Sequence, residues 1–212
     1  MDFRILSGGG PGSCPGPAQA TAMQGLAQVR AYWEALRQDG GIPARSDLDP
    51  RGLSTVLDRV IVAERLGAGL AQIRIAGNVL SELTGMEARG LPLSCLFAAE
   101  ARSRLGALVE RVFAAPIAAE LHLEAERGFG RRALEARLLL LPLLDGTGQR
   151  SLLLGCLVPE GDIGRAPCRF RIVRAVEERL LLAVAPQQPA IAVPAPVVKA
   201  MQRGHLRLVH SA

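Results

Sequence analysis

The residues IAAELHLEAE (117–126) and RRALEARLLLL (131–141) decide the fold, because apolar and polar side chains alternate along much of both runs. A period of two residues predicts a β-strand with one buried face and one solvated face. The residues between them, Arg-Gly-Phe-Gly at 127–130, contain the glycines of a hairpin loop. We therefore predict two antiparallel strands that pair with each other.

A four-residue loop also predicts the register of this hairpin. The polar face would pair Glu126 with Arg131, Glu124 with Ala133, His122 with Glu135, and Glu120 with Arg137. The apolar face would pair Leu123 with Leu134, Leu121 with Ala136, Ala119 with Leu138, and Ile117 with Leu140. Cross-strand pairs of these kinds contribute about 0.2–1 kcal/mol each, and a slip of one residue would bury the charges.

The rest of the chain predicts a mixed domain around this hairpin. Apolar residues at three- and four-residue steps predict a helix over residues 22–38 and a longer one over about 98–114. Short helices are predicted over 49–57 and 79–84, the second capped by Asn78, and strands over 59–64, 70–76 and 150–159. Residues 169–184 fit either a strand or a helix. This order of elements predicts an α+β fold.

Composition narrows the classes of function. The chain has 212 residues, of which 49% are apolar, and its 25 basic residues are interspersed with 20 acidic ones. A net charge of +5 on such a mixed surface does not by itself indicate nucleic-acid binding. The alternative interpretation, a transcription-linked regulator that contacts nucleic acid, would need Arg102, Arg104 and Arg111 on one free face of the long helix.

The two ends of the chain differ in composition from its middle. Gly and Pro dominate residues 7–17, and four prolines occur between residues 185 and 200. We therefore predict a flexible leader over 1–20, one domain over 21–184, and a disordered Pro-rich and basic tail over 185–212. No apolar run is as long as a membrane span, and the N-terminus lacks the pattern of a secretory signal. These features predict a cytoplasmic protein.

Three motifs occur in a fixed order: Tyr32-Trp33, then Pro43-Ala44-Arg45-Ser46-Asp47-Leu48-Asp49-Pro50, then Arg74-Ile75-Ala76-Gly77, with Gly85 shortly after. In this order they resemble a bacterial family of short, stand-alone PAS-like domain proteins of largely unknown function. The resemblance covers about residues 26–180. It implies a five-stranded antiparallel sheet with helices on one face, here with an extra N-terminal helix.

The resemblance also implies a sensory or regulatory role, because PAS-like domains sense small molecules, light or redox state, or bind other proteins. We interpret the motif residues themselves as structural. Tyr32 and Trp33 would anchor the first helix in the core, and Arg74 would pair with a carboxylate on a neighbouring strand. Arg45, Asp47 and Asp49 would hold an irregular connection together by capping and ion pairs.

We find no set of residues that resembles a catalytic centre or a metal site, and we expect that the protein is not an enzyme. The long helix has no histidine, and His122 lies on the polar face of the hairpin, which argues against haem. Cys95 lacks the neighbours of the reactive cysteine in flavin photosensors of this fold. The cofactor, if there is one, stays unknown, with haem and a photoreactive flavin disfavoured.

A small apolar ligand would lie between the long helix and the inner face of the sheet. The predicted lining residues are Leu105, Val109, Phe113, Ile73, Leu121 and Leu123. The same side chains would equally fill a closed core, and both interpretations remain open. Because no output domain is recognisable, we expect a protein partner to carry the output. We also expect a homodimer that forms through the helix at 22–38.

Overall fold

Six strands form one antiparallel sheet in the part of the chain that the computed structural model describes, residues 17–126 and 134–182. The strands are β1 (Val60–Gly67), β2 (Leu70–Ala76), β3 (Ile117–Ala125), β4 (Glu135–Leu143), β5 (Leu152–Glu160) and β6 (Phe170–Arg179), and their order is β2-β1-β5-β4-β3-β6. The helices are α1 (Pro17–Ala35), α2 (Asn78–Thr84) and α3 (Arg102–Ala114). The predicted α+β architecture is confirmed.

The sheet has six strands rather than the five implied by the resemblance. The sixth comes from residues 169–184, which fitted either strand or helix by periodicity. In the structure Phe170 and Ile172 bury their side chains in the core, and β6 pairs with β3 along its length. Burial of these side chains and the free edge of β3 therefore decide that this run is a strand.

Apolar cores cover both faces of the sheet. On the inner face, α2 and α3 pack over one cluster that includes Phe97, Leu108 and Phe170. On the opposite, outer face, α1 packs over β4 and β5 through Leu26, Val29 and Trp33. The extra N-terminal helix thus lies on the face that the other helices leave open. Strands β4 and β5 are buried on both faces, which explains their nearly continuous apolar sequences.

The predicted hairpin is present, but its register was wrong by two residues. Leu121 pairs with Leu138, His122 with Arg137, and Glu124 with Glu135. The shift keeps every side chain on its predicted face, because two residues are one full period of a strand. A connection longer than four residues produces the shift: the amide of Ala125 donates to the carbonyl of Leu134. The predicted loop at 127–130 lies outside the described residues.

Several helix boundaries also differ from the prediction. The expected helix over 49–57 is two 3₁₀ turns, Pro50–Leu53 and Leu57–Arg59, although Asp49 does cap the first. Asn78 does not cap α2. Gly77 occupies the N-cap position, and Asn78 lies in the first turn and donates to Glu82 at 2.6 Å.

The first helix begins at Pro17, within the stretch predicted as leader. Residues 1–16 and 183–212, which contain most of the predicted leader and all of the predicted tail, lie outside the described residues. None of the described helices is long and apolar enough to cross a membrane.

Candidate functional site

The six residues predicted to line an inner-face ligand site do come together in one cluster. Packing of α3 over β2 and β3 places them within the inner core. Each has at most 2% of its surface exposed: Leu105, Val109, Phe113, Ile73, Leu121 and Leu123. This close packing fits a closed core, and a ligand at this position stays a prediction.

The motif residues gather instead on the outer face, beside α1. The hydroxyl of Tyr32 accepts a hydrogen bond from the amide of Asp49 at 2.7 Å and donates one to the carbonyl of Asp49 at 3.0 Å. The indole nitrogen of Trp33 donates to the carbonyl of Pro142 at 3.0 Å. The first motif therefore ties α1 to the second motif and to the end of β4.

Two glycines permit close approaches around this region. A Cβ on Gly52 would lie 2.3 Å from Cε2 of Tyr32, so the ring packs directly against the backbone there. A Cβ on Gly77 would lie 2.2 Å from the carbonyl oxygen of Asp58. Side chains larger than hydrogen do not fit at these positions without movement of the backbone or the ring. The third motif thus ends where β2 meets the turn at Leu57–Arg59.

Backbone hydrogen bonds connect the second motif to the end of β4. The amide of Arg45 donates to the carbonyl of Leu144 at 2.8 Å, and the amide of Leu144 donates to the carbonyl of Pro43 at 2.9 Å. Within the segment, the carboxylate of Asp47 accepts from the amide of Ala44 at 2.9 Å. The carboxylate of Asp49 accepts from the amide of Arg51 at 2.9 Å. The predicted structural roles of Asp47 and Asp49 are therefore observed.

A cavity of about 310 Å³ lies between this segment and the outer face of the sheet; we call it the outer-face cavity. Its lining is Arg45, Leu48, Asp49, Pro50, Leu53, Leu57, Val60, Val62, Ile75, Ala76 and Leu154. Leu57 and Ile75 keep 43% and 39% of their surface exposed, so the cavity opens to solvent. A volume near 300 Å³ and a mostly apolar lining are typical of small-ligand sites.

Two charged side chains interrupt this apolar lining, Arg45 and Asp49. The carboxylate of Asp49 already accepts the hydrogen bond from the amide of Arg51. The guanidinium of Arg45 is half-buried and has no acidic partner among the described residues. The ion pair expected of Arg45 is therefore not seen, whereas Arg74 does pair with Glu64 on the neighbouring strand β1.

The titratable groups elsewhere in the described residues do not form a reactive site. Burial raises the pKa of Cys156 to about 12 and also raises the pKa of Cys95, so both thiols stay protonated near neutral pH. None of the described cysteines forms a disulfide. The described residues contain no cluster of His, Cys, Asp and Glu that could hold a metal ion. His122 lies 3.7 Å from a carboxylate oxygen of Glu120 on the outer face.

The arginines of α3 make hydrogen bonds to other parts of the domain. Arg111 makes two hydrogen bonds of 2.7 Å to the carboxylate of Glu177 in β6. Arg104 donates to the carbonyl of Ile172 at 2.9 Å, and Arg102 to the carbonyl of Phe97 at 3.3 Å. These contacts do not favour the free basic face that the nucleic-acid alternative requires.

Sequence reasoning did not find the outer-face cavity. Its floor comes from outward-facing residues of three strands, Val60, Val62, Ile75 and Leu154, which are far apart in the chain. The signal that was available is the spacing of Leu48, Leu53 and Leu57 in a segment that also contains many polar residues, Gly and Pro. That spacing alone does not reveal what the leucines cover.

Comparison with known families finds a match to the family model described as "PAS domain" over residues 21–158. No curated protein matches the chain. Among solved structures, 17 chains match. One of them, described as "Structure of an RNA-binding Light-Oxygen-Voltage Receptor", is 20% identical, with a TM-score of 0.38. The match covers 55% of this chain and 35% of the receptor chain, and it carries no inference about function.

Proposed function

The chain belongs to the PAS-domain family, and on that premise we propose that it is a non-enzymatic sensory or regulatory protein that acts by binding at the outer-face cavity. One observation carries this proposal: the three motifs of the family resemblance converge on the frame of a single solvent-open cavity. Tyr32 fixes Asp49 on one side, the Pro43–Arg45 backbone is tied to β4, and Ile75 and Ala76 form part of the lining.

The chemistry of the lining supports binding rather than catalysis. Nine of the eleven lining residues are apolar. Of the two charged ones, Asp49 already accepts a hydrogen bond from the domain, and Arg45 has no side-chain hydrogen bond to a described residue. The Asp49 carboxylate caps a turn, and the Arg45 guanidinium offers only hydrogen-bond donors. General acid–base catalysis most often uses histidine, and the lining contains no His, Cys, Lys or Tyr.

Native mass spectrometry of the protein purified from its own host tests the proposal. We expect the wild-type protein to retain a small molecule, and the variant Leu57→Trp to lose it, because the indole would fill the opening of the cavity. Leu66→Trp is the matched control: Leu66 has 53% of its surface exposed and lies on β1 outside the cavity lining.

The possible outcomes separate the two candidate sites. Retention of the molecule by the Leu57→Trp variant would contradict the outer-face site and favour the inner-face site predicted from the sequence. A wild-type protein that carries no small molecule, in a preparation whose folding is intact, would count against small-ligand sensing and leave protein binding as the proposed mode of action.

The proposal also includes the binding partners of the protein and its location in the cell. We propose that a protein partner carries the output and that the chain forms a homodimer through α1. The exposed face of α1 carries four alanines, whose small side chains permit close helix packing: Ala20, Ala27, Ala31 and Ala35. The cytoplasmic location predicted from the sequence forms part of the same proposal.

A further inference from the structure

We infer that the outer-face cavity binds a small carboxylate with an apolar body, and that the guanidinium of Arg45 is the anchor for the carboxylate. This inference rests on the proposed function and specifies its ligand class. It follows from three properties of the cavity: a half-buried cation with no acidic partner among the described residues, an apolar surface next to it, and a volume of the size of a small-ligand site.

The state of Arg45 differs from that of the comparable arginines. Six arginines of the described residues are not exposed. Five of them have a carboxylate or carbonyl partner for the guanidinium, namely Arg30, Arg37, Arg59, Arg137 and Arg150. The side chain of Arg45 makes no hydrogen bond or ion pair to any described residue. Removal of a cation from water without a counter-charge is costly, so a half-buried arginine of this kind is suited to an external anion.

The backbone around Arg45 is held in place before any ligand binds. Its amide donates to Leu144 at the end of β4, and the flanking residues Pro43 and Ala44 are also hydrogen-bonded, to Leu144 and Asp47. A site whose backbone is ordered in advance loses less conformational entropy when the ligand binds. The backbone of Arg45 is therefore held at the cavity by the fold and does not lie in a loose connection.

The charge pattern favours a single carboxylate over a phosphate. A guanidinium matches a carboxylate with two parallel hydrogen bonds. A phosphate ester carries more negative charge and is usually held by several cations or a row of backbone amides. Here the second charged group of the lining is the carboxylate of Asp49, which would repel a dianion. The same carboxylate would accept an ammonium group, so an apolar α-amino acid belongs to the proposed ligand class.

The volume and lining limit the rest of the ligand. A volume of about 310 Å³ lies at the lower end of the range of about 300–1,000 Å³ for small-ligand sites. Leu48, Leu57 and Ile75 offer accessible aliphatic surface and no hydrogen-bond donors from their side chains. The ligand class is therefore a medium-chain fatty acid, an arylalkanoic acid or an apolar amino acid.

Isothermal titration calorimetry with the full chain tests the inference. The probes are octanoate and 3-phenylpropanoate, their uncharged amides, and the amino acids leucine and phenylalanine. We expect at least one acid to bind, and its amide to bind about 10- to 100-fold more weakly, which is the range expected for loss of a charge-assisted hydrogen bond. Comparison of the affinities for the simple acids and for the amino acids shows which of these two kinds of ligand the site prefers.

Variants assign the carboxylate to Arg45. In Arg45→Gln the acid should bind about 10- to 100-fold more weakly, whereas in Arg45→Lys, which keeps the charge but not the planar fork, the loss should be smaller. Arg51→Gln is the matched control, because Arg51 is exposed and does not line the cavity. Circular dichroism and the thermal midpoint of each variant establish that it is folded.

Each outcome bears on the inference separately from the proposed function. Equal binding of acid and amide, or an unchanged affinity in Arg45→Gln, would show that the ligand class is wrong. If in either case the Leu57→Trp variant no longer binds the probe, the cavity remains a binding site and the proposed function stands. If none of the acids binds to the folded wild-type protein at millimolar concentration, the inference is wrong, whatever the host-purified protein retains.

Discussion

Two glycines and one tyrosine build the frame of the outer-face cavity. Gly52 lets the ring of Tyr32 lie against the backbone, and the hydroxyl of that ring holds both polar groups of the Asp49 backbone. Gly77 lets the end of β2 approach the carbonyls of Leu57 and Asp58. Because Leu57 and Ala76 line the cavity, the close approach at Gly77 sets the distance between two of its walls.

At the residue scale, we predict that Gly77→Ala destabilises the protein by about 1–3 kcal/mol, the usual cost of forcing extra atoms into a packed site. The new Cβ would meet backbone carbonyls at 2.2 Å and 2.6 Å, which cannot rotate away as a side chain can. Urea unfolding followed by circular dichroism measures the change.

Gly67→Ala is the control for this substitution. A Cβ on Gly67 meets no atom within 4 Å, so its free energy of unfolding should change by less than about 1 kcal/mol. Equal effects of the two substitutions would mean that β2 and the turn at Leu57–Arg59 do not approach as closely as the structure shows.

The β3–β4 hairpin shows which parts of an element its own residues determine. Its two faces follow from alternation, and the structure places each side chain on its predicted face, although α1 covers the outer face of β4. Its register depends on the length of the connection and on pairing with the neighbouring strands, since β3 also pairs with β6 and β4 with β5. In the observed register Glu135 lies between two like charges, opposite Glu124 on one side and Glu160 on the other.

At the element scale, we predict that Glu135→Arg stabilises the protein by about 0.2–1 kcal/mol, because it replaces repulsion between like charges with attraction. Chemical denaturation at low salt measures the effect, which should shrink at high salt. Glu100→Arg is the control with the same change in net charge; Glu100 is exposed in the short helix before α3. In the register predicted from the sequence, Glu135 would instead face His122, and the charge reversal would bring no such gain.

Strand β6 connects the layers of the molecule through two consecutive carboxylates. Glu177 binds Arg111 of α3 on the inner face, and this ion pair lowers the pKa of Glu177. Glu178 binds Arg30 of α1 on the outer face at 2.7 Å. Exposed pairs of this kind contribute little stability each. Their effect is directional: they align α1 and α3 with the same edge of the sheet.

For the whole molecule, coverage of the outer face by α1 has a further consequence. The helix uses one face to cover β4 and β5, with Ala22, Leu26, Val29 and Trp33 buried. Its opposite face remains exposed and carries mainly alanines, with Met23 at 49% exposure beside them. Small side chains let two helices approach closely, which supports the proposed dimer through α1.

At this scale, we predict that light scattering after size exclusion gives a mass near twice the 22.5 kDa of the chain at tens of micromolar protein. The variant Ala31→Glu should be monomeric, because it places a charge in the centre of the exposed face of α1. The control Ala99→Glu changes an exposed alanine before α3 and should leave the mass unchanged. A wild-type protein that elutes as a monomer at every concentration would contradict the dimer.

Much of the fold could be predicted from the sequence because it depends on local periodicity. The long strands, the apolar stripe of α1 and the stripe of α3 all follow from spacing, and they recur in the structure within a few residues. Residues 169–184 could not be assigned because Val173 and Val176 are exposed apolar residues at the sheet edge and break the alternation. Asn78 looked like a helix cap because its side chain can cap, yet Gly77 takes that position.

The amino-acid sequence alone determined the α+β class, the faces of the hairpin, the buried stripe of α1 and, through the order of its motifs, the family. These properties are local, since each depends on side chains within a few residues of one another. Only the tertiary structure decided the strand register, the face on which α1 packs and the presence of the outer-face cavity. These properties depend on packing between segments distant in the chain, and no local pattern encodes whether the guanidinium of Arg45 forms an ion pair or lines a cavity without forming one to a described residue.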